Sequence, residues 1–253
     1  MLKYQRTRKV KKYITCQKKD RIGMQIYSRL WTIYFAHKND LQYVHTPLEE
    51  PFESAFNLGK NFPQLCDFDL KDITVFSEIE TNYNPIVKRG LFADFSCNYM
   101  MSIIDNYQSQ QNPLRHENKI NICVHVRRGD TLKKRTAFVS DRSCSADQLQ
   151  LILDKIYKSI SSPAFINIHT DDKDFALDDL KTYNMNIDVC GPGTPALIAM
   201  NDMILSDVLF TSGLSSFSGV AGIYNSNVVV KRNFSGKKNM YNNLFSYNKP
   251  TLE

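Results

Sequence analysis

The segment Ile120-Asn-Ile-Cys-Val-His-Val-Arg-Arg-Gly-Asp130 changes character abruptly along its length. A run of apolar and β-branched residues stops at two arginines, a glycine and an aspartate. The apolar part predicts a buried strand. The polar part then falls at the carboxyl end of that strand, where open α/β sheets bind their ligands. Guanidinium groups carry planar donors that engage two oxygens at once, which suits a diphosphate. Arg127 and Arg128 therefore aim a double positive charge at a small anion.

Two further strand-like runs end in polar clusters. Phe165–His169 leads into Thr170-Asp-Asp172, and Val208–Thr211 leads into Ser212-Gly-Leu-Ser-Ser-Phe-Ser218. Ser215 and Ser216 open a helix, so their hydroxyls and backbone N–H groups suit a phosphate, helped by the helix dipole. Asp171 or Asp172 suits ribose hydroxyls. Each cluster alone also reads as surface charge, a helix start or a turn. Their common place at strand ends points to a nucleoside-diphosphate site built from three loops.

The elements that must position these residues follow an alternating pattern. Tyr13–Cys16 predicts a strand. Ile26, Tyr27, Leu30, Ile33 and Tyr34 recur with helical spacing up to about Asn39, and Leu41–His45 reads as a strand closed by Thr46-Pro47. Together they make a βαβ unit. A strand is expected near Ile73–Val75, a helix near Phe92–Tyr107, and a linker at Ser109–Pro113. Beyond it come the strand Ile120–Val126 and a helix opened by the capping-box pattern Ser145-Ala-Asp-Gln148. The strand Phe165–His169, a helix over Asp174–Lys181 and the strand Ile187–Val189 follow. A helix over Ala196–Leu205 is expected to have Thr194 as cap and Pro195 as first residue. Strands Val208–Thr211 and Val228–Val230 complete the order. The alternation predicts an α/β fold with parallel sheets and right-handed crossovers. The two halves are expected to span 1–112 and 113–253.

Composition narrows the class. The chain has 253 residues, 42% hydrophobic and 23% charged, ample for a sizeable core. No run of 18 apolar residues predicts a membrane span, and the basic N-terminus lacks the apolar stretch of a secretory signal. Eight basic residues precede the first acid, Asp20, while the whole chain carries +6, so everything after Lys19 is net −2. A solvated, solubilising arm is the expectation. Peripheral contact with anionic lipid is the lesser one, and nucleic-acid binding ranks last because no aromatic platform interleaves these charges. The six cysteines show no metal-ligand spacing, which predicts a reducing compartment and no metal site.

His125-x-Arg-Arg-x-Asp130 after a strand, followed downstream by Ser215-Ser-Phe-Ser218, resembles the inverting fucosyltransferases that make α1,2-, α1,6- and O-linked fucose. Asp20-Arg-Ile-Gly-Met-Gln25 resembles that family's glycine-rich loop, in which Gly23 and Gln25 would contact the nucleotide sugar. The resemblance implies a GT-B-like fold of two Rossmann-type halves. It also implies a GDP-sugar donor, usually GDP-fucose, with a glycan acceptor and no metal or other cofactor. In that reading Arg127 binds the β-phosphate and His125 and Arg128 support the site. Asp171 or Asp172 and Ser215, Ser216 and Phe217 line the nucleotide.

There are departures from the family pattern. The α1,6 enzymes place a catalytic Glu ten residues after the motif histidine, where this chain has Arg135, which cannot accept a proton. Asp130 and His45 remain as candidate bases, with Asp130 preferred. An acidic guanine-binding residue is expected before the Ser-Ser turn, and only Asp202 is near, out of register. The expectation is a soluble, cytoplasmic, metal-independent fucosyltransferase of a bacterium or a virus-infected cell. The alternatives are transfer from a UDP- or dTDP-sugar, and a non-catalytic nucleotide or glycan binder of the same fold.

Overall fold

The computed structural model describes residues 13–17, 20–76, 97–109, 116–129, 144–178, 180–211 and 215–230. The chain divides into two units, Met1–Ala93 and Asp94–Glu253.

In the first unit, strand β1 (Tyr13–Cys16) is followed by helix α1 (Ile22–Lys38) and strand β2 (Gln42–Tyr43). A short helix α2 (Phe52–Phe56) and two single 3-10 turns lead to β3 (Ile73–Phe76). The three strands form a parallel sheet in the order β2-β1-β3. The βαβ unit expected at the start of the chain is this β1-α1-β2 arrangement. Ile26, Leu30 and Ile33 are fully buried at helical spacing, which is why the periodic run forms α1.

The second unit begins with helix α3 (Asn98–Ile104) and strand β4 (Ile120–Val126). Helix α4 (Ala146–Ser159) leads to β5 (Ala164–Thr170) and β6 (Asn186–Cys190). Helix α5 (Ala196–Leu205), β7 (Val208–Phe210), α6 (Ser216–Tyr224) and β8 (Val228–Val230) complete it. All five strands are parallel, in the order β6-β5-β4-β7-β8. One face is aliphatic: Ile122, Val124 and Val126 of β4 and Ile166 and Ile168 of β5 pack against Leu149, Leu153 and Ile156 of α4. Both halves of the capping box at Ser145 and Gln148 are formed, so α4 starts where the sequence indicates.

Two expectations are corrected. Residues 174–178 and 180–181 form turns and irregular backbone rather than a helix, with Asp172 Oδ1 accepting the Asp174 N–H at 3.2 Å and Leu180 N–H bonded to Leu177 at 2.8 Å. Phe175, Leu177 and Leu180 pack separately on the core, and that tertiary packing overrides local helix propensity. Helix α5 has Pro195 rather than Thr194 as its cap residue, without a side-chain bond, and the Thr194 N–H closes a turn onto the Gly191 carbonyl at 3.0 Å. The contact-based division falls between Ala93 and Asp94. Tyr107, just beyond α3, donates to Asn201 at 2.8 Å and lies 5.6 Å from the Tyr224 ring, so this stretch packs with the second unit. The expected linker from residue 110 onward, and the basic arm 1–12, lie outside the described residues.

Candidate functional site

The strand order sets the place of the site. From β4 the chain winds outward through β5 and β6, then crosses back to β7 and β8 on the other side. The direction of winding reverses between β4 and β7, and ligands of open α/β sheets bind in the crevice outside the carboxyl ends at such a point. The described residues after β4 are Arg127, Arg128 and Gly129; those after β7 are Thr211 and Ser215.

The β4 end is clamped by the β5 end. Asp171 Oδ1 accepts the N–H of Arg128 at 2.7 Å and of Gly129 at 2.8 Å. A Cβ on residue 129 would stand 2.3 Å from the Asp171 carbonyl oxygen, so only glycine fits there. Asp172 Oδ2 lies 3.5 Å from Arg128 Nε, and the Arg128 guanidinium sits 5.8 Å from the centre of the Phe175 ring. Asp171, Asp172 and Arg128 thus shape the loop. Arg127 is half-buried at the strand end, with its carbonyl tied to the Cys144 N–H at 3.0 Å.

The β7 side supplies donors without protein partners. Ser215 is the cap residue of α6, yet its hydroxyl makes no capping bond. Among the described residues, the buried hydroxyls of Ser215 and Ser218 and the buried Nδ1 of His125 have no hydrogen-bond partner. The Phe217 ring lies 5.8 Å from that of His125, which brings the start of α6 against the end of β4. Burial is the main cause that lowers the His125 pKa to about 3; Asp171 opposes it, and His169 and Arg127 add to it. His125 is therefore neutral near pH 7. Buried polar atoms are ordinarily paired, so three orphans around one helix start mark a place for a polar ligand.

Of the predicted site residues, His125, Arg127, Arg128, Asp171, Asp172, Ser215, Ser216 and Phe217 belong to this unit and gather at its strand ends. Asp130 and Arg135 lie outside the described residues. Gly23 and Gln25 belong to the first unit, in the opening turn of α1. There Gly23 is buried and the Gln25 amide donates to the Asp20 carbonyl at 2.6 Å.

His45 is not a free base. Its Nδ1 lies 3.2 Å from the Tyr43 hydroxyl and its Nε2 3.0 Å from Glu53 Oε1, and the ring is fully buried. Asp202 is buried, with its Oδ2 3.2 Å from His169 Nε2. Arg29 escaped the sequence reading because it sits in a helical run without a motif. Buried, it donates to the carbonyls of Thr46, Pro47 and Gln25 and so ties the loop after β2 to the first turns of α1. His169 was equally silent; its one sequence signal is that it stands near a strand end two residues before an Asp pair, as His125 stands before an Arg pair.

The chain is similar in structure to POFUT1 in complex with GDP-fucose, with a TM-score of 0.53 at 14% identity over 87% of this chain and 97% of that one. For the POFUT1 apo-form the values are 0.54, 13%, 88% and 98%. For POFUT1 in complex with GDP they are 0.53, 14%, 86% and 95%. At such identities the likeness is one of fold: α/β with two parallel sheets, GT-B-like as expected. No family model matches the chain, and no curated protein matches its sequence. Among the described residues no helix is long and apolar enough to cross a membrane.

Proposed function

We propose that this protein is an inverting glycosyltransferase whose second unit binds a nucleoside-diphosphate sugar, GDP-fucose, for transfer to a glycan hydroxyl. The observation that carries the reading is the reversal of strand order between β4 and β7, with Arg127 after one strand and, at the helix start after the other, the Ser215 and Ser218 hydroxyls, which have no hydrogen-bond partner among the described residues. Guanidinium charge and a helix start with free donors are complementary to a diphosphate. The fold shared with POFUT1 in complex with GDP-fucose supports the choice of donor.

In this reading the acceptor oxygen bonds to the anomeric carbon as the bond from that carbon to the diphosphate oxygen breaks, with inversion. The electron pair leaves on the diphosphate. Arg127 stabilises the charge that develops there, which requires no metal. The acceptor proton passes to a base, with Asp130 the candidate. Arg128, held by Asp172 and Phe175, keeps the loop in shape.

A thermal-shift panel of GDP, UDP, dTDP and their sugars tests the donor, since stabilisation grows as RT ln(1 + [L]/Kd). A selective shift with GDP and GDP-fucose is expected; a shift with UDP or dTDP alone overturns the fucosyl assignment. Arg135 at the family's base position favours a second reading, a binder without turnover. Saturable GDP binding with neither transfer nor hydrolysis of GDP-fucose would select it.

A further inference from the structure

The two faces of the second unit's sheet differ where β4 and β7 end. Ile122, Val124 and Val126 of β4 and Val208 and Phe210 of β7 fill one face with apolar packing. On the other face Cys123 and Leu209 are register partners, and His125 and Thr211 stand two residues further along the same strands. Side chains alternate along a strand, so His125 and Thr211 leave on this second face, one step past the Val124–Phe210 pair. The Thr211 N–H bonds the Val230 carbonyl at 3.0 Å, which carries the strand pattern one residue past β7 and fixes where the side chain leaves. Arg127 follows His125, and its charge acts on the His125 ring. Arg128 falls the other way, over Phe175, which packs on the apolar face.

We propose that Thr211 is a further ligand-binding residue of this unit: its hydroxyl donates to the diphosphate from the floor of the crevice. The inference rests on the crevice being the diphosphate site. Thr211 is 8% exposed, and among the described residues its hydroxyl makes no hydrogen bond. Thr170, at the end of β5, differs: its hydroxyl accepts the Asp172 N–H at 3.1 Å and so shapes the next turn. Thr211 has no such task. The groups on its side are the Nδ1 of His125 and the hydroxyls of Ser215 and Ser218, which have no hydrogen-bond partner among the described residues. Phe217 brings the start of α6 against His125, so these groups border one place.

The chemistry of the ligand calls for such a donor. A diphosphate has more non-bridging oxygens than one bidentate guanidinium engages, so Arg127 leaves acceptors to be met by other groups. A hydroxyl hydrogen rotates to suit its acceptor. On a β-branched residue whose backbone is held in a ladder, the oxygen itself has few places to go, so little side-chain freedom is lost on binding. The diphosphate is common to the donor sugar nucleotide and to the product nucleotide. Affinity for both therefore depends on Thr211.

The test is titration calorimetry of the full chain with GDP and with GDP-fucose. Thr211→Val keeps the β-branched shape and removes the hydroxyl, while Thr211→Ser keeps the hydroxyl. Thr211→Val is expected to weaken both ligands about tenfold, the scale of one hydrogen bond to a charged group, and Thr211→Ser to stay within about threefold of native. The hydroxyl makes no bond within the described fold, so Tm of nucleotide-free Thr211→Val is expected to equal or exceed the native value. Native affinity in Thr211→Val overturns the proposal. An equal loss in Thr211→Ser also overturns it, because the effect then belongs to packing of the methyl group. A lowered ligand-free Tm in Thr211→Val does the same by showing a structural bond. Weakening of GDP-fucose alone overturns the contact with the diphosphate. A native chain that binds neither nucleotide overturns the reading of the crevice, and this assignment with it.

Discussion

Asp171 holds Gly129 from two directions. Its Oδ1 accepts the Gly129 N–H at 2.8 Å, and its own carbonyl oxygen occupies the space beside the Gly129 Cα where any Cβ would project. The first turn after β4 is thereby locked to the β5 end, and Arg127 is presented from a fixed backbone.

Gly129→Ala should break that lock. The overlap is with backbone, which cannot swing aside as a long side chain would, so the cost is expected to be about 1–3 kcal/mol. Denaturant unfolding checks it, and GDP binding should fall with it. Native stability together with native binding would mean that the two strand ends are not held in this way.

Asp171 distinguishes a structural from a ligand-binding role. As a loop clamp, Asp171→Ala lowers Tm in the absence of nucleotide, and Asp171→Asn, which keeps one acceptor oxygen, lowers it less. As a ribose ligand it would leave the free protein unchanged and weaken GDP binding alone. Melting curves with and without GDP separate these, and the clamp is the expected result.

Arg127→Ala is expected to lower transfer from GDP-fucose by about 10²–10³ in kcat, with the chain still folded. Arg127→Lys should recover part of this, since it restores charge without the bidentate fork. Near-native turnover in Arg127→Ala would remove the residue from its proposed role.

Ser215→Ala and Ser218→Ala should show opposite signs for stability and binding. A buried hydroxyl without a partner costs about 1–3 kcal/mol, so its removal leaves the free protein as stable or more so. The same removal should weaken GDP about tenfold, the scale of one hydrogen bond to a charged group. Calorimetry on both states reads the two effects. Serines that merely shape a turn would give no change in GDP affinity.

Glu53 should make the first unit acid-sensitive. Burial tends to raise its pKa, but hydrogen bonds from His45 and the Leu48 N–H, with the charges of His45 and Arg29, outweigh burial and hold it below the usual 4.5. A carboxylate with a depressed folded-state value stabilises the fold above its unfolded pKa and loses that contribution as pH falls through the folded one. Stability should therefore decline on acidification below about 4.5, and Glu53→Gln should be less stable at neutral pH but flatter across that range. Equal slopes in pH-dependent unfolding would contradict the assignment.

Most of the architecture was legible along the chain. Ile120–Val126, Val228–Val230 and Ala196–Leu205 read as they fold, because β-branched runs and apolar periodicity act over a few residues and match the burial each element meets. The capping box at Ser145 is likewise local chemistry, closed within four residues. The reversal of strand order between β4 and β7, and with it the place of the crevice, follows from which strands pair, and pairing joins residues such as Ile122 and Val208 that are far apart in sequence.

The types of the site residues were also visible, since two arginines, two aspartates and a serine-rich turn each follow a strand. Their division of labour was not. Whether a carboxylate meets a ligand or a backbone N–H depends on what lies within 3 Å of it, and for Asp171 that is Arg128 and Gly129. The same holds for His45, enclosed by Tyr43 and Glu53, and for Asp202, which tertiary packing brings to His169. The sequence by itself determined the elements and the polar ends of the strands. Only the tertiary structure decided which of those polar groups satisfy one another and which, like the hydroxyls of Ser215 and Ser218, are left without a hydrogen-bond partner among the described residues. Hydrogen bonds and ion pairs act over a few ångströms of space, and spacing along the chain does not encode that distance.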